Sequence, residues 1–369
     1  MPTTGALIVS GYTEAGYGAG PGVQRFGLKD DGTVGERTAE AAGVRNASFL
    51  AGASGVLLAV EELKDGTVAA LDPETLAVLG RASTGGADPC HVIHLGGSVW
   101  VANYSSGTAA VLPLAAVLEG AQPGAQPGAQ PGTEPGTEPR AARPELLSHP
   151  GSGPVTGRQG ESHAHQVTAT PWGTVLVSDL GADRVDVYFA DSHVLADSAE
   201  LPPGTGPRHV ALKGGFMFVA GELDGHLHVL RRAEMAPGKG TGHFWRWLFK
   251  VPLAPTQGEI GLTKEFFPSH IQLSEDGTKL YAAVRGPNTL VVLDVSGVEA
   301  DSPRPPVFLN LVPSGGNWPR HFAVGNRKIY VANQLSNNVA VFDLDVNGLP
   351  GAEPVQTVEF GSPACVVLA

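Results

Sequence analysis

The sequence predicts an all-β chain folded as a seven-bladed β-propeller of four-stranded antiparallel blades. Three observations carry that prediction: an internal repeat, β-type alternation within each copy, and an abundance of turn residues. Related phrases begin at Leu7 (LIVSGY), Leu57 (LLAVEE), Val99 (VWVANY), Val175 (VLVSDL), Met217 (MFVAGE), Leu280 (LYAAVRG) and Val331 (VANQLS). With Ser10, Val60, Ala102, Ser178, Ala220, Ala283 and Ala332 as equivalent positions, successive copies are 50, 42, 76, 42, 63 and 49 residues apart. A repeat of about 45 residues made of short alternating runs marks a propeller rather than a solenoid of helices. The 50 glycines and 30 prolines suit many tight turns, and helical periodicity is scarce.

Taken in order, each copy is preceded by a second signal. The chain reads Pro89-Cys-His91, Ala164-His165, Pro207-Arg-His209, Pro268-Ser-His270, Pro319-Arg-His321 and Pro363-Ala-Cys365, with Asn46-Ala-Ser-Phe49 as a weaker first copy. The distance from the last of these residues to the end of the following strand is 13 or 15 residues, as from His209 to Glu222 and from His270 to Arg285. That span fits a strand, a tight turn and a returning strand, so both ends of each hairpin fall on one rim. The copy at Cys365 has no strand after it, and the copy at Leu7 has no Pro-x-His before it. Pairing of Pro363–Ala369 beside Ala6–Tyr12 therefore closes the ring and removes an exposed sheet edge.

Residues 1–369 are expected to form one propeller domain with two insertions. The 76-residue step is explained by a low-complexity loop at residues 119–145, where Ala121–Pro139 repeats AQPG and TEPG and has nothing to bury. Part of the 63-residue step belongs to residues 231–267, read as an elaborated outer hairpin. Its aromatic cluster Phe244–Phe249 is a candidate contact edge for a homo-oligomer or another partner.

Composition narrows the function. A formal charge of −12 argues against a nucleic-acid surface, which needs a basic stripe, yet leaves room for a small anion held by local arginines. Two cysteines 275 residues apart, Cys90 and Cys365, suggest reduced thiols in a cytoplasmic protein. The opening residues lack the basic region and apolar length of a signal peptide, and no run approaches a membrane span. HExxH, paired CxxC and EF-hand motifs are absent, as are phosphate loops and the G-x-S-x-G elbow. No metal or cofactor is expected.

In a propeller the hairpin ends encircle one mouth of the central channel. The returning ends carry Tyr12, Glu62, Tyr104, Leu180, Glu222, Arg285 and Gln334; the entering ends carry Phe49, His91, His165, His209, His270, His321 and Cys365. Residues common to all copies suit a scaffold role, so Asn103, Asp179 and Asn333 read as turn-fixing. The repeated histidines read as imidazoles bonded to a neighbouring blade, with His165 the exception because Ser162-His-Ala-His-Gln166 departs from the pattern. Charges that break the repeat are more informative: Glu222, Arg285, Arg208 and Arg320. They form either an ion pair of Glu222 with Arg208 or an anion site beside a general base, where the planar guanidinium fork suits carboxylate or phosphate.

Pro89-Cys-His91 with Val101-Ala-Asn-Tyr104, Gly206-Pro-Arg-His209 with Gly221-Glu-Leu-Asp224, Val284-Arg-Gly286, and Trp318-Pro-Arg320 with Val331-Ala-Asn-Gln334 resemble the seven-bladed lactonase family. That family includes propeller-type 6-phosphogluconolactonases and 3-carboxy-cis,cis-muconate lactonising enzymes. The resemblance implies catalytic roles for His165, Arg208, Glu222 and Arg285. Around them Arg320, His209, His321, His91, Tyr104, Gln334 and Glu62 are expected to contact substrate. Arg285-Gly-Pro-Asn-Thr289, His270 and His321 depart from the family's usual residues and leave the substrate open. The implied reaction is hydrolysis of a sugar-acid lactone, 6-phosphogluconolactone first, with Glu222 or His165 as general base and Arg320 on the phosphate. The rivals are cycloisomerisation of a carboxylated muconate and a propeller that serves only as a binding platform.

Overall fold

A computed structural model describes residues 5–14, 16, 18–120, 143–234, 243–253 and 266–369. The low-complexity tract at 121–142 lies outside the described residues, as do 235–242 and 254–265 of the predicted hairpin insertion. Among the described residues the strands form seven four-stranded sheets, in which consecutive strands pair antiparallel. The only α-helix among them is one short turn, Leu114–Glu119.

Seven strands line the axis: Pro363–Leu368, Ala47–Ala53, Pro89–Leu95, Ala164–Ala169, Pro207–Lys213, Phe267–Leu273 and Pro319–Gly325. Each touches the next around the ring, and Pro363–Leu368 meets both Ala47–Ala53 and Pro319–Gly325. We number the blades 1 to 7 in that order. The second strands, such as Val56–Glu61, Phe216–Gly221 and Lys328–Asn333, are buried along nearly their whole length. A sheet covered by neighbours on both faces needs apolar residues on both, which explains runs such as Phe216-Met-Phe-Val-Ala where simple alternation would otherwise hold.

The core is divided in the same way. Seven hydrophobic clusters each span one pair of adjacent blades, for example Phe218, Leu280 and Val291 between blades 5 and 6. The cluster of Leu7, Val9, Tyr330, Val339 and Val366 joins blade 7 to blade 1. There the expected closure is observed: Ile8 pairs with Val367, Val9 with Val366 and Ser10 with Cys365. Ala6 and Ala369 exchange backbone hydrogen bonds of 2.8 and 2.9 Å at the far end of this pairing.

One irregularity recurs in every blade and sets up the rest. The pairing between innermost and second strand slips just after the innermost strand begins, between Ala47 and Phe49, Pro89 and His91, Ala164 and Gln166, Pro207 and Val210, Pro268 and Ile271, and Pro319 and His321. In blade 1 the slip lies opposite Ser10 and Gly11. These are β-bulges, which bend a strand and re-aim the extra residue. The proline fits because the strand's first residue can forgo a ladder donor. The residue re-aimed is the middle one of Pro-x-His in blades 3, 5, 6 and 7, and Ala364, Ser48 and His165 in blades 1, 2 and 4.

Candidate functional site

The bulges correct the alignment of His165. Ala164 pairs with Asp179 as Pro89 pairs with Asn103 and Pro319 with Asn333, so His165 occupies the slot of Cys90, Arg208 and Arg320. Gln166, opposite Ser178, takes the place of His91 and His321, which face Ala102 and Ala332. The cause is turn length: blade 3 turns through Gly96-Gly97, blade 4 through residues 170–173, so counting back from the end of the hairpin slips by one. His165 is thereby a member of the slot that departs from the repeat.

Two layers of side chains result. The lower is a plug of rings. Phe49 and His91 lie 3.9 Å apart, His91 and His209 5.6 Å, His209 and His270 5.1 Å, and His270 and His321 3.9 Å. Phe49 of blade 2 also reaches His209 of blade 5 at 6.1 Å, so rings fill the axis at this level. His209 Nδ1 and His270 Nδ1 are 2.8 Å apart, so one carries the shared proton and donates. His321 Nδ1 accepts from Val366 N at 3.4 Å, the expected bond to a neighbouring blade's backbone. His91 is bonded differently, through Gln166. Burial pushes His91, His209 and His270 well below the ordinary imidazole range and His321 down to about 3, so the plug is neutral.

The upper layer is charged. Glu222 directly follows the second strand of blade 5, Arg285 ends that of blade 6, and Arg208 lies in the blade 5 bulge. Arg285 donates to Glu222 Oε2 at 2.7 Å, and Arg208 Nε approaches the same oxygen at 2.9 Å. Arg208 also donates to the Ser269 carbonyl and Arg285 Nε to the Phe267 carbonyl, so backbone of blade 6 orients both forks. The predicted ion pair of Glu222 with Arg208 is present, within a larger group. Burial alone would raise the Glu222 carboxyl, but Arg285, Arg208 and Arg158 around it hold it well below the usual carboxylate range. Burial and the Arg285 charge push Arg208 down to about 9, still protonated at neutral pH.

Arg158 escaped the sequence reading because it belongs to no repeat. It donates to Glu222 Oε1 at 2.6 Å and hydrogen-bonds the Tyr104 side chain. Its carrier is the crossover from blade 3 to blade 4, residues 149–163, where other described crossovers are as short as 84–88 or 314–318. Buried Gln159 anchors that loop through Leu180 O at 2.9 Å and Asp183 Oδ1 at 2.7 Å.

A second charged group faces the first across blades 1, 2 and 7. Tyr12 donates to Glu62 Oε2 at 3.0 Å, Arg320 donates to Gln334 Oε1 at 3.3 Å, and the Arg320 guanidinium lies 5.1 Å from the Tyr12 ring centre. Burial would lower Arg320, but Tyr12 and Glu62 raise it on balance. Glu61, beside Glu62, is not solvated: it is buried against Arg81 at 2.5 Å. Trp318, quoted in the sequence only as part of Trp318-Pro-Arg320, was given no role there. Its φ of 65° is rarely adopted by a bulky residue, and Asn46, Asp88, Gly206 and Ser362 hold the matching place before other inner strands. The indole lies 5.4 Å from the Arg285 guanidinium.

His165 is buried beside both groups, 5.4 Å from the Tyr104 ring, with Cys90 Sγ 3.8 Å from its Nδ1. Burial and the Arg208 charge lower its pKa well below the ordinary value, so the imidazole is neutral. Asn103, Asp179 and Asn333 are turn-fixing, as expected: Asn333 donates to Ser314 O at 3.0 Å, and Asp179 accepts from His163 N at 2.8 Å. The mouth thus joins Arg158, Arg208, Arg285 and Arg320 with Glu62 and Glu222, an excess of arginine in a chain whose formal charge is −12. No helix among the described residues is long and apolar enough to cross a membrane.

Comparison with known proteins agrees with this architecture. Residues 6–368 match the family described as lactonase, 7-bladed beta-propeller. A 6-phosphogluconolactonase of Bacillus subtilis is 27% identical over 300 residues, covering 79% of this chain and 76% of its own length. The periplasmic gluconolactonase of Pseudomonas aeruginosa superposes with a TM-score of 0.78 at 27% identity, over 99% of each chain. A protein from Lactobacillus plantarum does so with a TM-score of 0.79 at 26% identity, over the full length of both.

Proposed function

This chain belongs to the seven-bladed β-propeller lactonase family, and from that premise we propose that it hydrolyses a small anionic sugar-acid lactone, 6-phosphogluconolactone above others. One observation carries the reading: a buried carboxylate gripped by three arginines at the mouth of an acidic propeller. Guanidinium groups held by backbone carbonyls are preorganised for the charge that develops when water adds to a lactone carbonyl. One such donor is worth about 10²–10³ in rate. Arg285 and Arg208 take that role.

The general base is His165. It is neutral and lies in the re-aimed slot, whereas both carboxylate oxygens of Glu222 are already engaged by guanidinium groups. Glu222 instead fixes the two forks. The sequence of events balances simply. His165 takes one proton from water as its oxygen bonds to the carbonyl carbon, and the ring C–O bond breaks. The proton passes to the departing alkoxide, leaving a carboxylic acid that ionises and a free hydroxyl. The relatives named as gluconolactonase and 6-phosphogluconolactonase support this substrate class.

The test is proton release on glucono- and 6-phosphogluconolactone, corrected for spontaneous opening. His165→Gln and Arg285→Ala are each expected to lower turnover at least about tenfold. Wild-type rates in both variants would remove this mechanism.

A further inference from the structure

We propose that Arg158 is the residue that selects a phosphorylated substrate, by taking the phosphate monoester at the end of the molecule remote from the scissile ester. This rests on the lactone reading above and reassigns the phosphate from Arg320.

Four observations point to Arg158. Its side chain is 37% exposed, against 4% for Arg208 and 7% for Arg285, so among these three it is the most open to the outer end of an arriving ligand. Its loop is pinned by Gln159, so the fork is presented from a fixed base at low ordering cost. Its charged partner is shared: Glu222 Oε2 already has Arg285 and Arg208, and only Oε1 is held by Arg158. A phosphate can therefore draw Arg158 away and leave Glu222 with two cations, so no buried carboxylate is stranded. Arg320, in contrast, is committed to Gln334, Tyr12 and Glu62, and moving it would take the neighbouring cation from buried Glu62. Chemistry agrees, since a guanidinium offers five donors in a planar fork and a phosphate dianion accepts two of them side by side.

The experiment compares kcat/KM on 6-phosphogluconolactone and gluconolactone for wild type, Arg158→Ala, Arg158→Lys and Arg320→Ala, with Kd for 6-phosphogluconate and gluconate measured by calorimetry. Wild type is expected to prefer the phosphorylated member of each pair. In Arg158→Ala that preference should shrink about 10- to 100-fold, the range for a lost charge-assisted contact, mainly through KM. Arg158→Lys should retain part of it. Arg320→Ala should lower both lactones together and keep the wild-type ratio. An unchanged ratio in Arg158→Ala, or loss of the ratio in Arg320→Ala alone, overturns the assignment. If wild type opens neither lactone, the lactone reading fails separately. The assignment is then decided by calorimetry, and it falls if wild type and Arg158→Ala show the same ratio of Kd values.

Discussion

Replacing Glu222 by Gln keeps the shape of the side chain and removes one negative charge from between three guanidinium groups. The structure makes the consequence calculable in outline. Arg208 and Arg285 are buried and meet the same oxygen at 2.9 and 2.7 Å, and neutralising it leaves them as facing like charges. Breaking a buried ion pair by removing one partner costs about 3–5 kcal/mol. At about 2.1 cal/mol/K of unfolding entropy per residue, 369 residues convert that to a fall in Tm of about 4–6 °C. Thermal unfolding followed by circular dichroism reads it directly. A second measurement separates charge from packing: millimolar phosphate should raise the Tm of Glu222→Gln more than that of wild type, because the guanidinium groups have lost their own anion. Lactone turnover should fall at least about tenfold in the same protein as the forks lose their anchor. A variant with unchanged Tm and no extra response to phosphate would refute the view that Glu222 organises these arginines.

Acidification should weaken the fold through the ring plug. His91, His209, His270 and His321 have folded pKa values below their unfolded value of about 6.5, so the unfolded chain binds more protons below that pH. Their stabilisation is therefore complete above about pH 6.5 and declines as pH falls toward the folded values, near 3 for His321, by about 1.4 kcal/mol per pH unit for each such group. Urea unfolding at pH 7.5 and 5 should differ by several kcal/mol, and equal midpoints would contradict a neutral plug. Deleting residues 363–369 should cost still more, since it strips the innermost strand from blade 1 and uncovers Leu7 and Val9. Burial of Val366 alone is worth about 1.5–3 kcal/mol. A truncated protein that melted cooperatively at the wild-type temperature would show that ring closure contributes nothing.

The blades and their closure were legible because a propeller writes the same local problem seven times. Each copy must form a hairpin buried on both faces, and the sequence answers with the same apolar phrase. Glu222, Arg285, Arg208 and Arg320 were legible for the complementary reason, as charges where that phrase supplies neutral residues. His165 was found but misplaced by one slot, since β-bulges and turns of different length are invisible to a count of residues. Arg158 was missed because a crossover loop has no copy to be compared with. Only the fold brings it to Glu222. Trp318 was hidden differently: its indole reaches Arg285 through a left-handed backbone that sequence pattern favours for Asn, Asp or Gly.

The strand pairing that joins the two ends of the chain also fixes where attachments can be made. Ala6 and Ala369 meet at one face of the disc, while Tyr12, six residues on, stands among the charged groups at the other, about 20 Å away at the rise of a strand. A surface tether or fusion partner joined at Ala369 would leave the arginine-lined opening pointing outward. Immobilised in that orientation, the protein should keep its full rate, whereas coupling through the loop that bears Arg158 should obstruct it.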